Sequence, residues 1–125
     1  MRKKIHFNKF NQTALSLELL TEEKVSFRSL EAAAQMIVDS DETAFIYLVS
    51  DEKEYVYFYI HEQVWPALKA ALASGTKIEA ISYNERLELI NFHEELTYLI
   101  ENIQGNGNYG EQMVKKVEAT FLSAL

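Results

Sequence analysis

Three histidines, an acidic turn, a row of tyrosines and a loop of Gly and Asn are the residues here whose types and spacing could do chemistry. His61 opens the run HEQVW and His93 opens HEELT, so neither has the second histidine that a zinc-protease helix places four residues on. His6 stands alone in an alternating stretch. General acid–base catalysis would need a pocket that gathers His61 or His93 with Asp39 or Asp41. No Gly-x-Ser-x-Gly elbow is present to activate a serine. Glu94 and Glu95 are neighbours on a helix, so their side chains diverge. No residue is assigned a catalytic role.

Asp39, Asp41 and Glu42 offer hard oxygen ligands of the kind that hold magnesium or calcium, although the glycine and closing Glu of an EF-hand are missing. The same residues suit a turn in which Asp39 or Ser40 bonds nearby backbone N–H groups while Asp41 and Glu42 stay solvated. Metal is therefore not assigned, and neither is any other cofactor. Gly105, Gly107 and Gly110 satisfy G-x-G-x-x-G, but a helix precedes them where a dinucleotide site requires a strand. A helix stop, a turn and a helix start explain the same glycines. Asn102, Asn106, Asn108 and Tyr109 in that loop could hold a small anion through amides and the N–H groups of a helix start.

Elements must position these residues. The last third reads as an αα-hairpin over about 91–124. Phe92, Leu96, Leu99 and Ile103 form one stripe with Ile100 beside it, and Met113, Val114, Val117 and Phe121 form the other, with Leu122 or Leu125 beside it. Asn91 with Glu94, and Asn108 with Glu111, have the spacing of helix caps, and Gly105 fits a helix end. The strongest strand signal is a hairpin, Thr43 to Val49 and Glu54 to Ile60 around Asp51-Glu52-Lys53. Period two predicts Ile46, Leu48, Val56, Phe58 and Ile60 on a core face and Phe45, Tyr47, Tyr55, Tyr57 and Tyr59 on the other. The tyrosines could meet a partner or form a second buried layer.

Strands are also expected from Lys4 to Phe10, Ala14 to Leu20, Lys24 to Arg28, and in a hairpin of Lys77 to Tyr83 with Arg86 to Ile90 around Asn84-Glu85, which sets Ile81 and Tyr83 against Leu87 and Leu89. Ser29 is positioned to cap a brief Ala-rich helix from Leu30 to about Ile37. Another helix runs from about Glu62 to Ser74, with Val64, Leu68 and Leu72 buried, Pro66 in its first turn and Gly75 ending it. Trp65 at its entrance is either a packing anchor or a partner contact.

The runs YLIENIQGNGNYGEQMVKKVEATF and MIVDSDETAFIY, with the Trp65 region, resemble a family of short proteins from low-GC Gram-positive bacteria that has no assigned function. The likeness extends from about Gln35 onward. It is most specific at Val38, Asp39, Ser40, Asp41, Ala44 and Phe45, and at Asn102, Gly105, Asn106, Asn108, Tyr109 and Gly110; Gly107 stands outside the shared pattern. The resemblance implies a small cytoplasmic bacterial protein and supplies no activity, substrate or cofactor.

The chain has 125 residues, 48% of them hydrophobic, and no cysteine, which is expected to give one domain (1–125) held by packing without disulfides. A net charge of −7 disfavours nucleic acid, whose backbone is bound by clustered Lys and Arg. The opening Arg2, Lys3, Lys4 leads into polar residues, neither signal peptide nor membrane span, so the expected location is the cytoplasm without membrane contact. The expected fold is α+β: a mainly antiparallel sheet of about six or seven strands, one or two helices on a face, and the C-terminal αα-hairpin. The expected function is a non-catalytic protein-interaction or regulatory module using Tyr47, Tyr55, Tyr57, Tyr59, Trp65 and the Asn-rich loop. Its partner is a protein, a second copy included. A small-ligand or anion binder using residues 102–110 is the alternative, and an enzyme the third reading.

Overall fold

Asn8 interrupts the first alternating stretch and sends the chain from one sheet into another. The computed structural model describes residues 3–52 and 54–122. Arg2, Lys53 and Leu125, on which expectations also fell, lie outside them. The described residues form an α+β fold of eight strands and three α-helices. The strands are β1 (Lys3–Phe7), β2 (Lys9–Gln12), β3 (Ser16–Leu20), β4 (Leu30–Asp39), β5 (Ala44–Asp51), β6 (Glu54–His61), β7 (Lys77–Ser82) and β8 (Glu85–Glu88). They make two four-stranded sheets, β1-β6-β5-β4 and β2-β3-β7-β8, in place of one mainly antiparallel sheet. Each sheet is mixed, because β1 runs parallel to β6 and β3 parallel to β7.

The central hairpin is where the expected expected pattern of faces changes. Asp51 pairs with Glu54, so Phe45, Tyr47 and Val49 lie opposite Ile60, Phe58 and Val56. Ile46 and Leu48 instead share a face with Tyr59 and Tyr57. The expected three-residue turn is one residue too long, and a slip of one residue exchanges the faces of a whole strand. Both faces of β5 are shielded: Phe45 and Tyr47 are fully buried on the inner side, and Ile46 is only 2% exposed on the outer.

Two further segments depart from expectation. Leu30 to Ile37 is strand, not helix: helix propensity for Ala is a weak preference, and antiparallel pairing of β4 along β5 overrides it. The register shifts between Ala32 and Gln35, and Ala34 sits there at φ 56°, the local kink of a β-bulge. Ser29 lies in a turn and not at a helix start. Lys24 to Arg28 is irregular, with Val25 N–H donating to Ser82 Oγ at 3.1 Å and Phe27 N–H to Glu85 Oε1 at 2.9 Å. Side chains take the place of a ladder. In the last hairpin Ser82 pairs with Glu85 across Tyr83 and Asn84, so Leu87 faces Ala80, and Tyr83 is a turn residue at φ 56°.

The helices follow the apolar stripes. A 3-10 turn, Glu62–Val64, leads into α1 (Trp65–Ser74), which has Pro66 in its first turn and ends at Gly75 in the left-handed conformation, φ 74°. On α2 (Phe92–Ile103) Phe92, Leu96, Leu99, Ile100 and Ile103 are buried; on α3 (Glu111–Phe121) Met113 and Val117 are. The expected caps are not made: Asn91 takes φ 60° with no side-chain bond to the helix, and Gly110, not Asn108, precedes α3. Instead Glu118 of α3 accepts from Gly105 N–H at 2.9 Å, tying the connecting loop to the helix that follows it. Phe45, Trp65 and Phe121 join β5, α1 and α3 through ring centroids 4.8 to 5.9 Å apart. The inner faces of both sheets and the helices share this core.

The bulge predicts opposite signs for two similar substitutions. Ala34→Gly relieves a left-handed alanine and is expected to be neutral or to stabilise by up to about 1 kcal/mol, whereas Ala32→Gly in extended strand should cost about 0.5–1 kcal/mol. Urea unfolding of the two variants checks this, and equal losses would contradict a left-handed Ala34.

Candidate functional site

The helices pack into the shared core, which leaves the outer face of the β1-β6-β5-β4 sheet to its own side chains. Lys4 and His6 from β1, Tyr55, Tyr57, Tyr59 and His61 from β6, Ile46 and Leu48 from β5, and Ile37 and Asp39 from β4 lie there by alternation. Tyr55 is 47% exposed and Ile37 40%, Tyr57 is half-buried, and Tyr59 is buried. Tyr47 and Trp65 belong elsewhere. Tyr47 is on the inner face, its hydroxyl donating to Ile90 O at 2.6 Å, and burial pushes its pKa up to about 12. Trp65 is 1% exposed, with its indole N–H directed to Ile60 O at 3.3 Å. Neither presents a surface to a partner, which corrects the sequence reading: one sits on the other side of a strand, the other beneath α3.

Asp39 organises one corner of this face. Its Oδ1 accepts from Glu42 N–H at 3.1 Å within the turn and its Oδ2 from the Tyr59 hydroxyl of β6 at 2.8 Å, so both oxygens are engaged. Burial alone would raise its pKa, but the bonds from Tyr59 and the backbone of Glu42 and Asp41, with the charge of Lys4, hold it below the ordinary value. Burial and the same bond to Asp39 push Tyr59 up to about 12. At the same end of the sheet, on the β1 side of Tyr59, His6 Nδ1 and His61 Nε2 are 2.8 Å apart. The ring centroids are 5.0 Å apart and the planes inclined by 23°. So short a contact at that separation puts both nitrogens near the line joining the rings, which is an in-plane N–H···N hydrogen bond and not face-to-face stacking. Nothing in the sequence signals the pair, because only the parallel pairing of β1 with β6 brings residues 6 and 61 together.

The two stretches that carry the family resemblance meet across a cleft of about 470 Å³. Ser40, Asp41 and Thr43 line one wall, and Tyr109, Gly110 and the first turn of α3 with Lys116 the other. Of the loop residues expected to hold an anion, Tyr109 reaches the cleft. Asn102 and Asn106 direct their side-chain amides back to carbonyls of α2, Tyr98 O at 2.9 Å and Asn102 O at 3.2 Å, and Asn106 Oδ1 accepts from Asn108 N–H at 3.0 Å. Lys116, the cation of the cleft, is 2.9 Å from Glu62.

A longer depression runs between the helices. Two adjoining hollows of about 440 and 430 Å³ share Leu72, Thr97 and Glu101; one extends to His93, Glu94 and Tyr98, the other to Lys69, Ile100, Phe121 and Leu122. Tyr98 is 65% exposed and Leu122 43%. His93 closes one end: its Nε2–H donates to Thr76 O at 2.6 Å, which leaves Nδ1 buried without a hydrogen-bond partner. His61 feels the charges of Asp39 and Glu42, but its hydrogen bond is to His6, while His93 bonds a backbone carbonyl and Asp39 bonds Tyr59. Among the described residues no group of three or more His, Cys, Asp or Glu is placed to hold a metal ion, and no helix is long and apolar enough to cross a membrane.

These features define an α+β protein that offers an outer sheet face, a cleft and a helical groove. By sequence the chain belongs to UPF0738, a family of unknown function, whose pattern matches residues 5–121. A UPF0738 protein of Geobacillus sp. (strain WCH70) is 47% identical over 98 residues, covering 76% of this chain and 79% of the relative. The UPF0738 protein YjbL of Bacillus subtilis (strain 168) is 44% identical over 90 residues, 72% of this chain and 74% of its own. A third, from Staphylococcus aureus (strain Newman), is 42% identical over 96 residues, 77% and 79% of the two chains. These are low-GC Gram-positive organisms, as the resemblance implies. No solved structure matches the chain.

Asp39→Ala leaves the buried Tyr59 hydroxyl and the Glu42 N–H without their acceptor and is expected to cost about 1–3 kcal/mol near neutral pH. The folded pKa of Asp39 lies below the unfolded one, so its contribution is complete above the ordinary value of 3.8 and fades as pH falls through the lowered one. Denaturation of both proteins from pH 7 to pH 3 should show the gap between them closing only at the acid end.

Proposed function

We propose that the protein is a non-catalytic interaction module of the cytoplasm, and that the groove along α1 and α2 receives an amphipathic helix with a basic flank. The observation that carries this reading is the continuity of the groove: Leu72, Ile100 and Phe121 give it an apolar floor, and Glu94 and Glu101 stand exposed on its rim. From His93 to Glu101 α2 rises roughly 12 Å, enough to seat anchors at i, i+3 or i+4, and i+7 of a partner helix. Each apolar anchor buried there contributes about 1.5–3 kcal/mol. A second copy is the competing occupant. It has less support, because a two-fold contact would face Glu94 and Glu101 toward their own kind on chains that each carry −7.

Other features favour this reading over its rivals. Lys9, Arg86, Lys115 and Lys116 are engaged with Glu22, Glu18 and Glu79, Glu111 and Glu62, which speaks against a basic track for nucleic acid. The anion-binding alternative loses support for a similar reason, with the loop amides and Lys116 already engaged. Tyr55 and Tyr57 on the outer sheet face remain a second, flatter surface.

A synthetic 14-residue helix with Leu at those anchor positions and Lys elsewhere is the probe. It is expected to shift NMR resonances of Leu72, Thr97 and Leu122. Joint Glu94→Lys and Glu101→Lys substitution, on exposed positions, should weaken it by at least about tenfold. Shifts centred on Tyr55 and Tyr57, or a dimer at micromolar concentration that buries the groove, would overturn the assignment.

A further inference from the structure

The head-on contact between His6 and His61 has a property that an ordinary polar contact lacks. An in-plane Nδ1···Nε2 bond of 2.8 Å needs one nitrogen to donate and the other to accept. The pair satisfies this when both rings are neutral, with one N–H in the bond. It also does so when one extra proton has been taken up, because an imidazolium donating to a neutral imidazole is a charge-assisted bond. With both rings protonated, two N–H groups point at each other across the same gap, and the bond cannot exist.

The surroundings sort these states. From β1, Lys4 lies with its ammonium 5.2 Å from the Tyr59 ring, beside the His6 ring, and adds positive charge to that side. From the segment after β3, Glu23 Oε2 accepts from the His6 backbone N–H at 2.7 Å. From β4 and the turn behind it, Asp39 and Glu42 act on His61 as negative charges. From β6, Tyr59 sets its ring, tilted, near both histidines, at 5.2 and 6.1 Å between centroids, while its hydroxyl donates to Asp39. Glu62, next in the chain, is paired with Lys116. Three carboxylates therefore favour one positive charge on the pair, and Lys4 with the geometry opposes a second. Burial and the neighbouring His6 lower the pKa of His61, in the same sense.

The mechanical setting gives the second proton a consequence. β1 is an edge strand held to the sheet by β6 alone, and His6 and His61 lie at the ends of those two strands. Ile5 and Phe7 are fully buried on the inner face, so β1 stays on the core while its outer side is fastened by the histidine pair and by Glu23.

We propose that the His6–His61 bond is a proton-operated latch on the first strand, closed with one imidazole or neither protonated, and opened by the second proton, which frees the β1 edge of the sheet. Because the folded pair resists that second proton more than the unfolded chain does, its uptake costs stability as pH falls below the ordinary histidine range near 6.5.

Amide exchange on the full chain tests the latch. Ile5 and Phe7 turn their backbone groups toward β6, and Leu17 and Leu19 of β3 serve as references in the other sheet. Between pH 7.5 and 5 the protection of Ile5 and Phe7 relative to Leu17 and Leu19, corrected for intrinsic exchange, should fall by about tenfold for each pH unit past the second titration. Histidine nitrogen shifts should titrate in two separated steps. His61→Gln and, separately, His6→Asn remove the second proton and should flatten the protection ratio. A ratio already flat in the native chain, two imidazoles titrating as one step near 6.5, or the same pH dependence in both variants would overturn the proposal.

Discussion

The register of β5 against β6 is the constraint on which the rest depends. Setting Asp51 opposite Glu54 puts Phe45, Tyr47, Val49, Val56, Phe58 and Ile60 on one side, enough large apolar surface to receive all three helices. Phe45 then meets Trp65 and Phe121, and Tyr47 meets Phe92. The other side receives no helix. Ile46, Leu48 and Tyr59 seal it as a small cluster of their own, with Ala33 of the bulge and Tyr57 packed against them. A shift by one residue would exchange these roles, placing Tyr57 and Tyr59 in the core and Phe58 and Ile60 outside.

Acidic side chains serve the backbone in this fold. An edge strand offers unpaired N–H groups to any passing strand. Here Glu23 takes the outward N–H of His6 on β1, and Glu95 of α2 takes that of Met36 on β4, at 2.7 and 3.0 Å. Glu85 does the same for Phe27 and Glu118 for Gly105. Part of the acidic excess is thus structural and not merely a solvated coat. One outward N–H on each edge of the first sheet is already engaged by a carboxylate.

The histidines, the acidic turn and the groove all sit at junctions between elements distant in sequence. Asp39 ties the end of β4 to Tyr59 of β6, and His93 ties the start of α2 to the turn after α1. Arg86 on β8 clips Glu79 and Glu18 on the two strands beyond, at 2.8 and 2.9 Å. Polar groups of this kind fix which element sits beside which, while the apolar contacts supply most of the attraction.

Local pattern made much of this legible. The stripes of α2 and α3, Pro66 and Gly75 at the ends of α1, and the strand character of residues around 44–60 follow from periodicity and backbone preference, which neighbours in the chain decide among themselves. Membership of a family from low-GC Gram-positive bacteria was also readable there. What periodicity cannot encode is partnership. The Ala-rich stretch from Leu30 became a strand because β5 offered it a ladder, and the tyrosine row divided because a turn was one residue shorter than its composition suggests. His6 met His61 only through a parallel pairing across more than fifty residues. Secondary structure is set by short-range sterics that a sequence displays, whereas register, facing and every polar junction depend on free-energy differences between long-range pairings that no single segment contains.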